Sequence, residues 1–441
     1  MGTRAASAVL ALAAVVLALA AAPASAAQAT RDAVDELLSA GAIDQAAHDR
    51  FDAAYDAAIE AARKLRGTRR SALRGVVADV DGMAERDALD AGTLPAVTLT
   101  LERNVQWWPT RPIVAAGARV SFDGDELVWQ RYPGHGLQIQ WLGTFGKANG
   151  LKLKRQYPQL KALLDEAISL AAPRGDGIAW EYLFAFDRGR PPWVSGLAQG
   201  TALSALAHGA QALGDPSYLD VARRALSIFG TPPPVGVRVA TKAGAHYLQY
   251  SFAPKLKILN GFVQSLNGLA DLRAQTGPDA AVDALLAAGD AEALAELPSF
   301  DTGGWSRYAI PGADSSLHYH RLLEEFVQGR CDRGGDQRFC DFAAELRDDL
   351  VTPPTVEVVS RRAHRGRATS LRIRVDKPAT VRVKIAGPAD YKLIRKATIA
   401  SGTSTALRWR PRHSGSYAVE VTATDPAGNA APATGAVAVA G

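Results

Sequence analysis

Residues 247–269 read YLQYSFAPKLKILNGFVQSLNGL. Tyr250 stands directly before Ser251-Phe252-Ala253-Pro254, and an apolar helix then opens near Leu259-Asn260-Gly261-Phe262. The candidate helix runs over Leu256–Gln275, where Thr276-Gly277-Pro278 stops it. This helix is one of a series of candidate helices on either side of it.

Upstream and downstream, candidate helices cover Tyr157–Ala171, Val194–Leu213, Ser217–Phe229, Ala280–Leu297, Ser316–Gln328 and Asp336–Leu350. Short breaks such as Gly214-Asp215-Pro216 separate them. Helices of similar length joined by short turns predict stacked helical hairpins without a strict repeat period. From Thr30 to about Ala88, Val34, Leu37, Leu38 and Phe51, Tyr55, Ile59 fall at helical spacing and predict two or three further helices. Between Pro95 and Trp141 the texture changes. Val97-Thr98-Leu99-Thr100-Leu101 and Arg119-Val120-Ser121-Phe122 alternate, and Asp123-Gly124 is a turn signal between strand-like runs, so a β region with a hairpin is expected. Val351-Thr352-Pro353-Pro354 reads as a linker. Beyond it, runs such as Thr380-Val381-Arg382-Val383-Lys384-Ile385 predict a β-sandwich. The expected organisation is multidomain α+β: 1–26 an export signal, 27–94 helical, 95–136 β, 137–350 a helical domain, and 355–441 the sandwich.

Length and composition agree. The 441 residues are enough for two or three domains, and 47% hydrophobic with 22% charged residues excludes a largely disordered chain. Arg4, the apolar run Ala8 to Ala22 and the small residues Pro23-Ala24-Ser25-Ala26 read as a secretory signal cleaved after Ala26, giving a secreted or cell-envelope protein with no membrane span after cleavage. In an oxidising compartment the close pair Cys331 and Cys340 reads as a disulfide, and no Cys/His metal spacing accompanies it. A formal charge of +5 reads as a mild bias toward anionic partners, spread over hundreds of residues and without the clustered basic tract of nucleic-acid binders. No phosphate loop, dinucleotide fingerprint or zinc-protease helix motif occurs. No cofactor or metal is called for. The acidic pairs Asp123/Asp125 and Glu324/Glu325 read as turns or solvated faces rather than glycosidase carboxylates.

Three tyrosines of the helical region are candidates for chemistry. Tyr250 lies at the helix entry, Tyr308 in the glycine-rich loop Asp301-Thr302-Gly303-Gly304-Trp305-Ser306-Arg307-Tyr308, and Tyr319 between His318 and His320 with Arg321 next. A cation or imidazolium beside a phenol favours the phenolate, which makes tyrosine usable as a base. Singly, each is a packed aromatic with a satisfied hydroxyl.

Together they resemble a family. Tyr247–Leu269 resembles the helix entry of the D-glucuronyl C5-epimerase C-terminal domain. Trp193, Ser195 and Ala198-Gln199-Gly200 resemble that family's Trp…Ala-Gln-Gly helix start. Leu297-Pro298 with Asp301, Gly303 and Tyr308 resembles its loop before a catalytic tyrosine, and Tyr319-His320 its closing element. Tyr132-Pro133, Gln138 and Gly143 fall where the family enters its helical domain.

The resemblance implies an (α/α) toroid that inverts C5 of a hexuronic acid within a glycan chain, with Tyr250, Tyr308 and Tyr319 at the positions of the catalytic tyrosines. It implies an anionic, uronate-containing polysaccharide as partner. Arg307, His320, Arg321, Gln249, Asn260, Tyr132, Gln199 and Trp193 are the residues placed to bind it, with Lys255 and Lys257 as further candidate clamps. Two departures stand out. Gln249 occupies the place of a family Glu and cannot take a proton. Ser316-Leu317-His318 replaces an Arg-Trp-Asp run. A uronate polysaccharide lyase, which begins with the same proton abstraction, and a non-catalytic secreted glycan-binding protein are the alternatives. The run Ala423-Thr424-Asp425-Pro426-Ala427-Gly428-Asn429 resembles the terminal strand and turn of bacterial immunoglobulin-like modules, read here as a spacer.

Overall fold

The computed structural model describes residues 25–441, so the expected export signal lies, all but its last two residues, outside the described residues. The chain forms two compact units. The first takes residues up to Arg238 together with Tyr250–Pro254 and Asp271–Val282; the second takes Val239–Gln249, Lys255–Ala270 and Asp283–Gly441.

The first unit begins with helix α1 over residues 25–39, followed by α2 (Gln45–Lys64), α3 (Gly67–Ala84) and α4 (Leu94–Trp107). Helix α4 corrects the strand expected at Val97–Leu101. Pro95 sits in its first turn, where a missing N–H costs nothing. The Thr98 and Thr100 hydroxyls donate back to Leu94 O at 2.8 Å and Ala96 O at 2.7 Å. Those polar residues are therefore satisfied inside the helix and buried with their apolar neighbours, so the alternation never marked an inner and an outer face.

The β region is smaller than expected: β1 (Arg119–Val120), β2 (Trp129–Tyr132) and β3 (Gly136–Ile139) form one antiparallel sheet, with Gly124 at φ +75° in the β1–β2 connection. Helices α5 (Trp141–Leu153) and α6 (Tyr157–Ser169) follow, then the hairpin β4 (Ala172–Arg174) and β5 (Gly177–Ala179). Helix α7 (Gly196–Leu213) starts at Ser195, whose hydroxyl accepts from Ala198 N, and stops at Gly214 in the left-handed region. Its run of Ala, Gly and Ser buries nearly every residue, because small side chains let neighbours approach closely. A Cβ on Gly209 would stand 2.4 Å from Leu164 Cδ1 of α6. Short helices α8 (Ser217–Ala225) and α9 (Ser227–Gly230) close this stretch, where one helix was expected.

Strands β6 (Arg238–Ala240) and β7 (Ala245–Tyr247) precede α10 (Leu259–Thr276), α11 (Ala280–Phe300), α12 (Leu317–Asp332) and α13 (Gln337–Asp349). In the second unit a disulfide joins Cys331 to Cys340 across the α12–α13 turn. The rest of that unit is β: β8 (Val356–Val358), β9 (Arg362–His364), β10 (Thr369–Val375), β11 (Ala379–Gly387), β12 (Tyr391–Ile399), β13 (Ser404–Trp409), β14 (Gly415–Thr424) and β15 (Ala430–Ala440). They make a three-stranded sheet, β13-β10-β8, and a five-stranded sheet, β12-β11-β14-β15-β9. Alternate residues from both sheets, among them Leu371, Ile373, Val383, Val421 and Tyr417, share one apolar cluster. The molecule is thus helical toward its N-terminus and β-rich toward its C-terminus.

Val351–Pro354 does not part the second unit. Lys377 Nζ donates to Asp349 O at 2.8 Å and to Thr352 O at 2.7 Å, Asn429 Nδ2 to Leu350 O at 2.8 Å, and Ser401 N to Asp314 Oδ2 at 2.8 Å. The Pro-rich sequence that reads as a linker is held to the sheets by hydrogen bonds at Asp349, Leu350 and Thr352.

Candidate active site

Tyr308 and Tyr319 meet in the second unit, their ring centroids 4.4 Å apart. The loop that carries Tyr308 is closed by short-range hydrogen bonds. Arg307 N donates to Phe300 O at 2.8 Å, Tyr308 N to Ala313 O at 3.0 Å and Ser315 N to Ser306 O at 2.8 Å. Tyr319 lies in the first turn of α12, behind the Ser316 cap, and is 39% exposed. Arg307 and Arg321 are exposed beside these tyrosines in sequence.

His320 is not a substrate clamp. It is fully buried, stacked on Trp305 at 3.9 Å, with Nδ1 2.9 Å from Ser306 Oγ and Nε2 2.8 Å from Leu346 O. A carbonyl only accepts, so Nε2 carries the proton and Nδ1 is the acceptor. Burial lowers the His320 pKa, which keeps the ring neutral. Its role is to pin the Tyr308 loop, through Ser306, to α13.

Lys257 is also committed elsewhere. It lies 3.2 Å from Glu292 Oε1 and bridges to Glu296, which pairs with buried His246 at 2.9 Å. Burial opposes ionisation of Glu296, yet His246, by hydrogen bond and charge, holds that carboxyl down at about 2. Gln249 and Asn260 are buried as well, and Asn260 Oδ1 accepts from Gly261 N at 2.7 Å. A Cβ on Gly261 would fall 2.6 Å from Gln249 Oε1, so glycine at the helix entry makes room for that side chain.

Tyr250 belongs to the first unit and to a different aromatic set. It stacks on Phe252 at 5.3 Å and meets Trp193 edge-on at 5.8 Å and Phe186 at 5.6 Å. Trp193 in turn stacks on Tyr182 at 4.3 Å and donates Nε1 to Phe184 O at 2.9 Å. Ser251 ties the segment down: its N donates to Val194 O at 3.0 Å and its Oγ accepts from Val194 N at 3.1 Å. Trp193 is therefore a buried support for Tyr250. Gln199 is fully buried, donating Nε2 to Trp180 O at 2.8 Å, and has no surface left for a sugar. Tyr132 is half-buried, 4.3 Å from Phe184, and burial pushes its phenol up to about 12 against a hydrogen bond with Gln140. It is a neutral phenol at ordinary pH.

Beside Tyr132 lies a pair that motif reading passed over. His135 Nδ1 is 2.8 Å from Asp79 Oδ2, and Asp79 Oδ1 accepts from Ala185 N at 3.2 Å. The hydrogen bond to Asp79 raises the His135 pKa. The imidazole is partly exposed and 5.8 Å from the Phe184 ring. The partners lie 56 residues apart, so no local pattern joins them. His135 alone, in Pro133-Gly134-His135-Gly136 between β2 and β3, was the signal to follow.

Comparison with known proteins bears on this geometry. Residues 174–343 match the family described as D-glucuronyl C5-epimerase C-terminus. The D-glucuronyl C5-epimerase of Caenorhabditis elegans is 37% identical over 83 residues, 19% of this chain and 14% of that protein. The uncharacterized protein MJ1128 of Methanocaldococcus jannaschii is 26% identical over 181 residues, 39% of this chain and 58% of that protein. The chain thus spans less than two thirds of the length of either relative. Among solved structures, a GH76 α-mannanase of Bacteroides thetaiotaomicron aligns with a TM-score of 0.33 at 12% identity, covering 48% of this chain and 59% of that one.

Residues 174–343 are thus similar to the D-glucuronyl C5-epimerase C-terminus family. That segment contains Tyr250, Tyr308 and Tyr319; Tyr132 and the Asp79–His135 pair lie before it. Among the described residues no helix is long and apolar enough to cross a membrane, and no cluster of side chains has the make-up of a metal site.

Proposed function

We propose that the protein inverts C5 of hexuronate residues within a glycan chain. The observation that carries this reading is the family match over residues 174–343, with Tyr308 and Tyr319 in ring contact inside it.

The chemistry sets the requirements. The C5 hydrogen is α to a carboxylate, so its removal places a second negative charge on that group. A phenolate takes the proton and becomes a phenol; the electron pair moves into the carboxylate to give an enediolate. A phenol on the opposite ring face then returns a proton to C5 and becomes the phenolate, so the reverse turnover resets the site. Tyr250, Tyr308 and Tyr319 are the tyrosines we assign to this work. Donors aimed at the developing charge lower the barrier most, and Arg307 and Arg321 are the exposed guanidinium groups we assign to the carboxylate. Gln249, lacking a titratable group, has no proton to move. In this reading the helical region is of the (α/α) toroid type, the two C-terminal sheets are an immunoglobulin-like sandwich, and the protein works outside the cell, where residues 1–26 would send it.

The test is to incubate the protein with unsulfated polyglucuronate and examine the recovered polymer by NMR. Appearance of the C5-inverted residue in chains of unchanged length supports the proposal. New ultraviolet-absorbing unsaturated ends would replace it with a lyase, and an unaltered, merely bound polymer with a binding protein.

A further inference from the structure

Charge is not spread through the chain as its total suggests. Residues 355–441 hold 15 Lys and Arg against 5 Asp and Glu, a surplus of ten, so the remaining residues carry a net −5 within the chain's +5. This corrects the reading of a mild, dispersed positive bias.

Part of the surplus gathers at one place. A groove of about 860 Å³ is lined by Lys392 and Arg395 of β12, Arg408 of β13, and Arg410 and Arg412 just beyond it, with Tyr391 and Trp409 between them. Strands β12 and β13 are the edge strands of the five-stranded and three-stranded sheets. All five cationic side chains are exposed, and among the described residues none of them meets a carboxylate at ion-pair distance. Arg410 Nε donates to Gly366 O and Arg395 Nη1 to Ile394 O, which orients two of the guanidinium groups. Trp409 is buried, and its Nε1 makes no hydrogen bond.

Basic residues on an edge strand also serve to prevent pairing with other chains. That purpose needs one or two charges anywhere along the edge. It does not account for five unpaired cations drawn around a concavity, where their fields add and mutual repulsion must be borne. An anion relieves that repulsion.

We propose that this groove is a binding site for an anionic polysaccharide, holding the polymer on the C-terminal sheets. Guanidinium forks match carboxylate and sulfate oxygens two at a time, and four of the five cations are arginines. Single-stranded nucleic acid fits less well, because its binders present open aromatic faces for base stacking. Here Trp409 is only 4% exposed and Tyr391 is half-buried. The module is then more than a spacer: it raises the local concentration of polymer around the enzyme. The choice of a uronate polymer as probe rests on the function proposed above; the anion site itself does not.

The test uses the full chain and three ligands, unsulfated polyglucuronate, neutral dextran of equal length, and a single-stranded oligonucleotide, with Kd measured at several salt concentrations. Polyglucuronate should bind, weaken steadily with salt, and bind better than either of the others. The exposed substitutions Lys392→Ser, Arg408→Ser and Arg412→Ser should each weaken it by about 5-fold, and the triple variant by about 100-fold, as for exposed ion pairs near the upper end of their range. C5 exchange on a uronate oligosaccharide too short to reach both places should be unchanged by them. Parent-like polymer affinity in the triple variant, equal binding of dextran, or tighter binding of the oligonucleotide overturns the proposal. Loss of polymer binding in the triple variant of a protein that shows no exchange would sink the epimerase reading and leave this site standing.

Discussion

Lys377 is 1% exposed, and its removal should cost the second unit more than any surface charge does. Nζ reaches two backbone carbonyls at 2.8 and 2.7 Å, lies 3.7 Å from the wholly buried Asp425 carboxylate, and stands 5.9 Å from the Trp305 ring centre. Lys377→Met keeps the stem and deletes the charge. Asp425 then remains buried with only the Asn429 N–H groups, at 2.8 and 3.0 Å, to balance it. Stranding one member of a buried pair costs about 3–5 kcal/mol. The two carbonyls add little, since Thr352 is exposed and water can replace the ammonium there. A loss of about 4 kcal/mol corresponds to roughly 10 °C for a unit of this size. Calorimetry of the parent, Lys377→Met, Asp425→Asn and the double variant reads the coupling directly. The double variant should melt well above Lys377→Met, because the neutral amide that replaces the Asp425 carboxylate needs no counter-charge. If Lys377→Met melts within about 2 °C of the parent, or the double variant is worse than the two single losses combined, the junction is not held by this pair.

Three further perturbations follow the same logic. Burial, against the pull of Lys377, raises the Asp349 carboxyl from 3.8 to about 6. The folded state therefore holds that proton more tightly than the unfolded chain, and stability falls as pH rises between those values. Asp349→Asn should gain about 1 kcal/mol at pH 7, discounted for partial exposure, and nothing near pH 3, as thermal melts at the two pH values would read. His135 is raised by Asp79, so the pair's extra stability is present in full below the ordinary histidine value and is lost as pH rises through the raised one. NMR titration should place the His135 pKa of Asp79→Asn below that of the parent; an unchanged value contradicts the pairing. His320→Asn removes a ring packed on Trp305 and should cost about 3 kcal/mol in denaturant unfolding, while NMR titration of the parent should place this ring below the ordinary histidine value, because burial disfavours its charged form.

Local signals were legible where a residue acts on its own neighbours. Gly214 after α7 and Gly277 after α10 both take positive φ, as their helix stops required. Alternation in β11 and β14 is real in/out alternation, and the burial of those strands follows it residue by residue. Val97–Leu101 misled because Thr98 and Thr100 satisfy themselves within a helix, leaving polarity in the sequence where none exists in the packing. For the site, motif order singled out Tyr308 and Tyr319, whose rings meet, but it did not distinguish a residue that faces solvent from one built into the framework. Resemblance places Gln199 and His320 among the binders, whereas their hydrogen bonds to Trp180 O and Leu346 O show them to be framework. Asp79 and His135 meet only through the fold. The positive surplus of residues 355–441 was countable from the start and was hidden by averaging over the whole chain.

The proposed chemistry makes one demand that neither folding nor binding can imitate: the hydrogen at C5 must exchange with solvent. Polyglucuronate incubated with the protein in heavy water, then hydrolysed and analysed by mass spectrometry and NMR, reports that exchange position by position. Deuterium accumulating at C5 in chains of undiminished length, and lost in Tyr308→Phe, is the outcome the account requires. A polymer that is bound and recovered with all its C5 hydrogens intact would contradict it.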